Sequence, residues 1–306
     1  MAAVLELQDL SVQFHTGKEI VQAVRGVSLE VQEGEVLAIV GESGCGKSVL
    51  CKSVMKLLPQ TAHIAGGRIL VDGVDITDYR EREMEKLRGN VFSMVFQDPM
   101  TSLNPTMRIG SQIAEAVRAH EPKVSKEDLD RRVLELLDLV GIDRAAERSR
   151  QYPGQMSGGM RQRAMIAVAL ACNPKVLIAD EPTTALDVTI QAQLMDLLKN
   201  IQKKTEMAVI LVTHDLGVVA NFADRVQVMY AGAVMERGSV HDIFKAPRHP
   251  YTWALLSSMP GRIQKSKSEL YALRGTPPDL RRPIKGCPFA ERCEYRMSIC
   301  LKETPE

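Results

Sequence analysis

Val36-Leu-Ala-Ile-Val40 runs directly into Gly41-Glu-Ser-Gly-Cys-Gly-Lys-Ser48. A continuous aliphatic run suits a parallel strand covered on both faces. The residues after it fit G-x-x-x-x-G-K-[ST] without a mismatch, and the helical pattern Val49–Leu58 follows. Strand, glycine-rich loop and helix in that order form the setting of a phosphate-binding loop. Glycines let backbone N–H groups close around phosphate oxygens. The helix N-terminus adds the positive end of its dipole. Lys47 supplies a point charge for β- and γ-phosphates, and Ser48 offers an oxygen to Mg²⁺.

Outward from the loop, the same strand pattern returns at Val176–Ala179 and Val209–Val212. Such strands separated by helical pattern predict an α/β fold with a mostly parallel sheet. Asp180-Glu181 ends the second strand. Asp180 is placed to hold Mg²⁺ through water and Glu181 to polarise an attacking water. A carboxylate pair before Pro182 also has a plainer reading, as a helix cap. Val4–Phe14 and Val21–Val31 alternate around Thr16-Gly17-Lys18, which predicts an N-terminal antiparallel β subdomain. From about 99 to 162 no strand run is evident, and a helical insert is expected. Within it Ser125-Lys-Glu-Asp128 resembles a capping box, followed by a face of Leu129, Val133, Leu136, Leu137 and Val140, with Gly141 as C-cap. From 246 to 306 prolines punctuate the chain, so an irregular C-terminal extension is expected after a first domain of residues 1–245.

Composition narrows the setting. The chain has 306 residues, 45% apolar and 25% charged, with a net charge of +1. That is ordinary for a globular protein and gives no support for nucleic-acid binding by bulk electrostatics. No run approaches the ~18 apolar residues of a membrane helix. The N-terminus has no basic segment before an apolar core, so no secretory signal is expected and the cytoplasm is the expected compartment. Six cysteines in a reducing compartment do not read as a disulfide framework. Cys45, Cys51 and Cys172 read as packing residues, with Cys45 also open to oxidation.

The motifs so far fit many phosphate-loop proteins. Ser157-Gly-Gly159, within Gln155-Met-Ser-Gly-Gly-Met160 and before the helix-like Arg161–Ala171, resembles the signature of ABC ATPases. Gln97 resembles that family's Q-loop glutamine, Ala185-Leu-Asp187 its D-loop and His214 its switch histidine. Phe14 stands where the family places an aromatic residue against adenine. The resemblance spans roughly residues 4–245. It implies an α/β P-loop NTPase (RecA-like) core that binds ATP and Mg²⁺. Phe14, Gly41, Glu42, Ser43, Gly44, Cys45, Gly46, Lys47, Ser48, Val49 and Gln97 would contact this chain's ATP. Ser157, Gly158 and Gly159 would contact the ATP of a partner subunit, with Asp187 in the D-loop between them. Ser48, Gln97 and Asp180 would serve Mg²⁺. Glu181 as base, His214 as γ-phosphate sensor and Lys47 as charge clamp would form the catalytic set. Met156 and Met160 stand where Leu and Gln are usual, which removes the glutamine's hydrogen bond but leaves the Ser-Gly-Gly core. One set of motifs supplies half of each of two ATP sites, so the resemblance implies a dimer of ATPase subunits.

Longer strings narrow the resemblance. Gln97-Asp-Pro-Met-Thr-Ser-Leu-Asn-Pro105, Pro247-Arg-His-Pro-Tyr-Thr252, Gly275-Thr-Pro-Pro278 and Gly286-Cys-Pro-Phe289 with Arg292-Cys293 are similar to ATP-binding subunits of bacterial dipeptide and oligopeptide importers. That implies a paralogous second ATPase, two transmembrane permease subunits and an extracytoplasmic substrate-binding protein, with the chain on the cytoplasmic face of the membrane and no nucleic acid. Related importers of nickel or other small solutes are the alternative. A soluble ABC ATPase is a further one, against which stands the lack of a second cassette or long coiled coil. In some members of the subfamily cysteines such as Cys287, Cys293 and Cys300 carry an iron–sulfur cluster. A 4Fe-4S cluster wants four thiolates, and only three are in this stretch. Three thiolates with a histidine could instead hold zinc, and three free thiols are the plain reading.

Overall fold

The computed structural model describes residues 3–304, apart from Lys18, Ala185 and residues 260–272. In chain order its elements are β1 (Ala3–Thr16), β2 (Glu19–Gln32), β3 (Val36–Val40), α1 (Lys47–Val54), β4 (Ala62–Val71), β5 (Val74–Asp75), α2 (Glu81–Leu87), β6 (Phe92–Val95), α3 (Pro99–Ser102), α4 (Ile109–His120), α5 (Lys126–Leu139), α6 (Ala145–Arg148), α7 (Gly158–Ala169), β7 (Val176–Asp180), α8 (Val188–Thr205), β8 (Ala208–Val212), α9 (Leu216–Phe222), β9 (Arg225–Tyr230), β10 (Ala233–Ser239), α10 (Val240–Lys245) and α11 (Pro250–Ser257). The described residues fall into two compact units, one drawn from 1–4, 32–35 and 78–211, the other from 5–31, 36–77 and 212–306.

The unit carrying the phosphate loop holds the antiparallel sheet read from the first residues. Its order is β2-β1-β4-β5. β1 and β4 run antiparallel with Leu5 opposite Val71 and Leu7 opposite Ile69. Leu5 and Leu7 are buried in one alternating phase and Leu10 and Val12 in the next, the phase shifting by one residue at the register irregularity near Asp9, whose φ is 49°. β3 pairs in parallel with β9, from Leu37 opposite Arg225 to Val40 opposite Val228. Every residue of β3 is buried, which explains its unbroken aliphatic run. β10 turns back antiparallel on β9. The proline-rich tail belongs to this same unit. Phe289 packs on the rings of Tyr230 and Tyr251, with centroids 5.5 and 5.2 Å away.

The other unit pairs β6 and β7 in parallel, Phe92 opposite Val176 and Met94 opposite Ile178, with β8 beside β7. Helices α3 to α6 occupy 99–148. The Ser125 hydroxyl accepts the Asp128 amide at 3.1 Å and caps α5. Leu129, Val133, Leu136 and Leu137 form its buried face, and Gly141 follows at φ 68°. The Arg163 guanidinium donates to the Val140 carbonyl at 2.7 Å and closes that end. Among the described residues no helix is long and apolar enough to cross a membrane.

Candidate nucleotide site

The phosphate loop is shaped by what surrounds it. Gly41, Gly44 and Gly46 all have positive φ, at 152°, 78° and 103°. A Cβ on Gly41 would lie 2.1 Å from the Met229 carbonyl oxygen, and one on Gly46 2.3 Å from that of Ala23. Backbone approaches that close leave no room for any side chain, so the two positions demand glycine for space as well as conformation. Lys47 opens α1 and is buried. Its ammonium donates to the carbonyls of Gly41 at 2.8 Å and Glu42 at 3.0 Å, and lies 3.7 Å from the Cys45 sulfur. Burial pushes the Cys45 thiol up, against the opposing pull of Lys47. A buried thiol held protonated is a poor nucleophile, which favours the packing reading of Cys45 over the oxidation-sensitive one.

Two residues that sequence reasoning had not assigned hold the loop from outside. The Tyr251 hydroxyl accepts the Glu42 amide at 3.0 Å. Burial, relieved in part by that hydrogen bond, drives the Tyr251 phenol far above its ordinary value, so it stays neutral. Arg292 grips the Glu42 carboxylate with two parallel bonds of 2.7 and 3.0 Å. His214 lies in this unit, exposed just past β8, where Thr213 accepts the amide of Asp215 and Asp215 caps α9. Phe14 is half-buried on β1, opposite Ala62.

The second unit brings Gln97 and Glu181 together. The Gln97 amide donates to a Glu181 carboxylate oxygen at 3.0 Å, and the Thr184 hydroxyl donates to the same oxygen at 2.9 Å. Glu181 sits at φ 47°, left-handed for a residue with a side chain. That conformation costs about 1–2 kcal/mol, and such strain gathers where a side chain must be aimed. Asp180 is buried at the end of β7. A carboxylate here and the Gln97 amide oxygen are hard donors of the kind Mg²⁺ takes.

Ser157 and Gly158 are exposed at the start of α7. The Ser157 hydroxyl accepts the Met160 amide at 3.3 Å. A Cβ on Gly158 would meet nothing within 4 Å. One turn on, buried Gln162 donates to the Pro182 carbonyl at 2.6 Å, tying the signature helix to the segment that carries Glu181. Asp187 caps α8 through the Ile190 amide at 3.0 Å. Ala185 of the D-loop string lies outside the described residues.

The three C-terminal cysteines line one cavity of about 760 Å³ with His249. The Cys287 sulfur is 3.8 Å from the His249 ring. Yet among the described residues no group of three His, Cys, Asp or Glu side chains is placed to hold a metal. Burial holds the Cys287 thiol above its ordinary value, which works against the thiolate a cluster needs. The iron–sulfur expectation for Cys287, Cys293 and Cys300 is therefore not supported.

Comparison with known proteins places this geometry. Residues 24–184 match the ABC transporter family, and residues 235–300 match the oligopeptide/dipeptide transporter C-terminal region. The oligopeptide transport ATP-binding protein OppD of Bacillus subtilis (strain 168) is 55% identical over 302 residues, covering 98% of this chain and 84% of that protein. The dipeptide transport ATP-binding protein DppD of the same organism is 55% identical over 306 residues, covering 100% and 91%. Among solved structures, the post-hydrolysis dimer of the ATP-binding cassette MJ0796 bound to ADP and Pi aligns with a TM-score of 0.69 at 30% identity, covering 77% of this chain and 98% of that one. With an intact phosphate loop, a signature turn and this degree of likeness along its whole length, the chain belongs to the ABC transporter family and is an ATPase of its ATP-binding subunits.

Proposed function

We propose that this chain hydrolyses ATP to drive peptide import, as one of two paralogous ATPase subunits beneath a pair of membrane permease subunits fed by an extracytoplasmic binding protein. The observation that carries the reading is the match of residues 235–300 to the oligopeptide/dipeptide transporter C-terminal region. The chain works at the cytoplasmic face of the membrane, docked through other subunits.

The site residues take their roles from the chemistry they offer. Gly41–Val49 present backbone N–H groups to the ATP phosphates, with Phe14 against the adenine. Lys47 exchanges its bonds to the Gly41 and Glu42 carbonyls for the β- and γ-phosphates. Ser48 supplies a hydroxyl oxygen for Mg²⁺, and Asp180 and Gln97 supply oxygens of the same hard type. Glu181 takes a proton from water as it attacks the γ-phosphate, and Thr184 and Gln97 hold its carboxylate ready. His214 senses the γ-phosphate. Ser157-Gly-Gly159, with Ser157 and Gly158 exposed, offers a helix N-terminus to the partner's ATP, and Asp187 lies in the adjoining D-loop.

Purification from the native membrane, with identification of every copurifying chain and of any bound solute, tests the reading. Two permease subunits and a paralogous ATPase, with turnover stimulated by a peptide-loaded binding protein, are expected. Copurification with DNA or ribosomes, or stimulation by nickel alone, would overturn it.

A further inference from the structure

Glu42 is an oddity in a loop built for a polyanion. Its carboxylate belongs to the second residue of the phosphate cradle, where a negative charge opposes the ligand. The structure answers that charge from far along the chain. Arg292, in the C-terminal segment, bonds both Glu42 oxygens, at 2.7 and 3.0 Å. The remaining donors of the same guanidinium are also used. They reach the Tyr230 hydroxyl at 3.1 Å and the carbonyls of Arg274 at 2.9 Å and Leu273 at 3.4 Å. The Arg292 side chain is only 6% exposed, and that of Glu42 25%. Burial alone would weaken the guanidinium's hold on its proton, but Glu42 and Tyr230 more than offset it. Phe289, three residues earlier, is wedged against Tyr230 and Tyr251, and Tyr251 itself accepts the Glu42 amide. The pair is thus a built site with a planar, bidentate geometry that lysine cannot reproduce.

We propose that Arg292 is a positioning residue for nucleotide binding: it neutralises Glu42 and turns its carboxylate away from the phosphates, so that the C-terminal segment sets the affinity of the loop for ATP. The inference rests on the reading of Gly41–Ser48 as the ATP cradle and extends it to a segment outside the cassette motifs.

Calorimetric titration of the full chain with MgATPγS tests it. Arg292→Ala should weaken binding on the order of tenfold, a size that one partly screened charge carries. The deficit should shrink as salt is raised, because it is electrostatic. Glu42→Gln added to Arg292→Ala should restore binding to within about twofold of wild type, since it removes the unpaired charge. A contact that only braces the fold would lower the melting temperature of Arg292→Ala while leaving its affinity, titrated well below the melt, at the wild-type value. Wild-type affinity in Arg292→Ala overturns the inference, and so does a double variant no better than the single. If Arg292→Ala fails to fold, Arg292→Gln keeps bulk and hydrogen bonding without the charge and carries the same comparison. A wild-type chain that does not bind MgATPγS would instead sink the reading of the loop itself.

Discussion

Two helix N-termini of the chain are candidates for phosphate, and they are made in opposite ways. The loop before α1 is enclosed: two of its glycines press against carbonyls of other segments, Lys47 is buried, and Tyr251 and Arg292 hold Glu42. The turn before α7 is open: Ser157 and Gly158 face solvent, and an added Cβ on Gly158 would touch nothing. Each has the dipole and free N–H groups that attract an anion. The first is held on several sides by other segments, although Gly44 is open; the second has the Ser157 cap, an open Gly158 and a Gly159 where an added Cβ would lie 3.1 Å from Ile190. On the proposed reading, the open side of Gly158 is completed by a surface that another molecule supplies.

Substitutions put that contrast to the test. The largest effect belongs to Glu181. Glu181→Gln should lower ATP turnover by about 10²–10⁴-fold in the presence of the partner subunit, while retaining ATP binding. Steady-state phosphate release beside equilibrium binding checks it, and near-normal turnover would remove Glu181 as the base. Lys47→Ala comes next. It should abolish measurable ATP binding by the isolated chain, because the enclosed loop needs no partner to bind. Binding that persists would mean that the loop's backbone suffices.

The same substitution at two glycines then probes the contrast itself. Gly46→Ala must place a Cβ 2.3 Å from a carbonyl oxygen, so overpacking and left-handed strain together should cost about 2–4 kcal/mol. Gly158→Ala meets open space and adds helix propensity, so thermal melting of the isolated chain should be unchanged or slightly raised. Its defect should surface only in the assembled ATPase. Equal melting temperatures for the two variants would erase the distinction. The smallest effect is that of Ser157→Ala, which deletes the cap on the Met160 amide and should cost about 1 kcal/mol in denaturant unfolding.

These two regions also mark what could be read from the sequence. The strand and the glycine-rich turn into α1 were legible, because they follow one another within a few residues and local periodicity reports local structure, although the helix ends at Val54 rather than running to Leu58. The capped face of α5 was legible for the same reason. The strand Phe92–Val95 was not: it is four residues long, and a short apolar run does not distinguish strand from helix. Arg292 and Tyr251 lie in segments similar to the importer subunits, but nothing in those segments marks a role for either. Their bonds to Glu42 join residues 250 and 209 positions apart, and no pattern along a chain encodes a pairing of that reach. The cysteine cluster taught the reverse. Crowding in sequence and even in one cavity does not by itself aim three thiols at one point.

Glu181 carries one more consequence. Its left-handed backbone is a conformation that glycine or asparagine adopts at far lower cost. A search for heat resistance alone, blind to activity, would drift toward those residues at this position. On the proposed reading of Glu181 as the base, a thermostabilised descendant with Glu181 replaced would fold well and turn ATP over far more slowly.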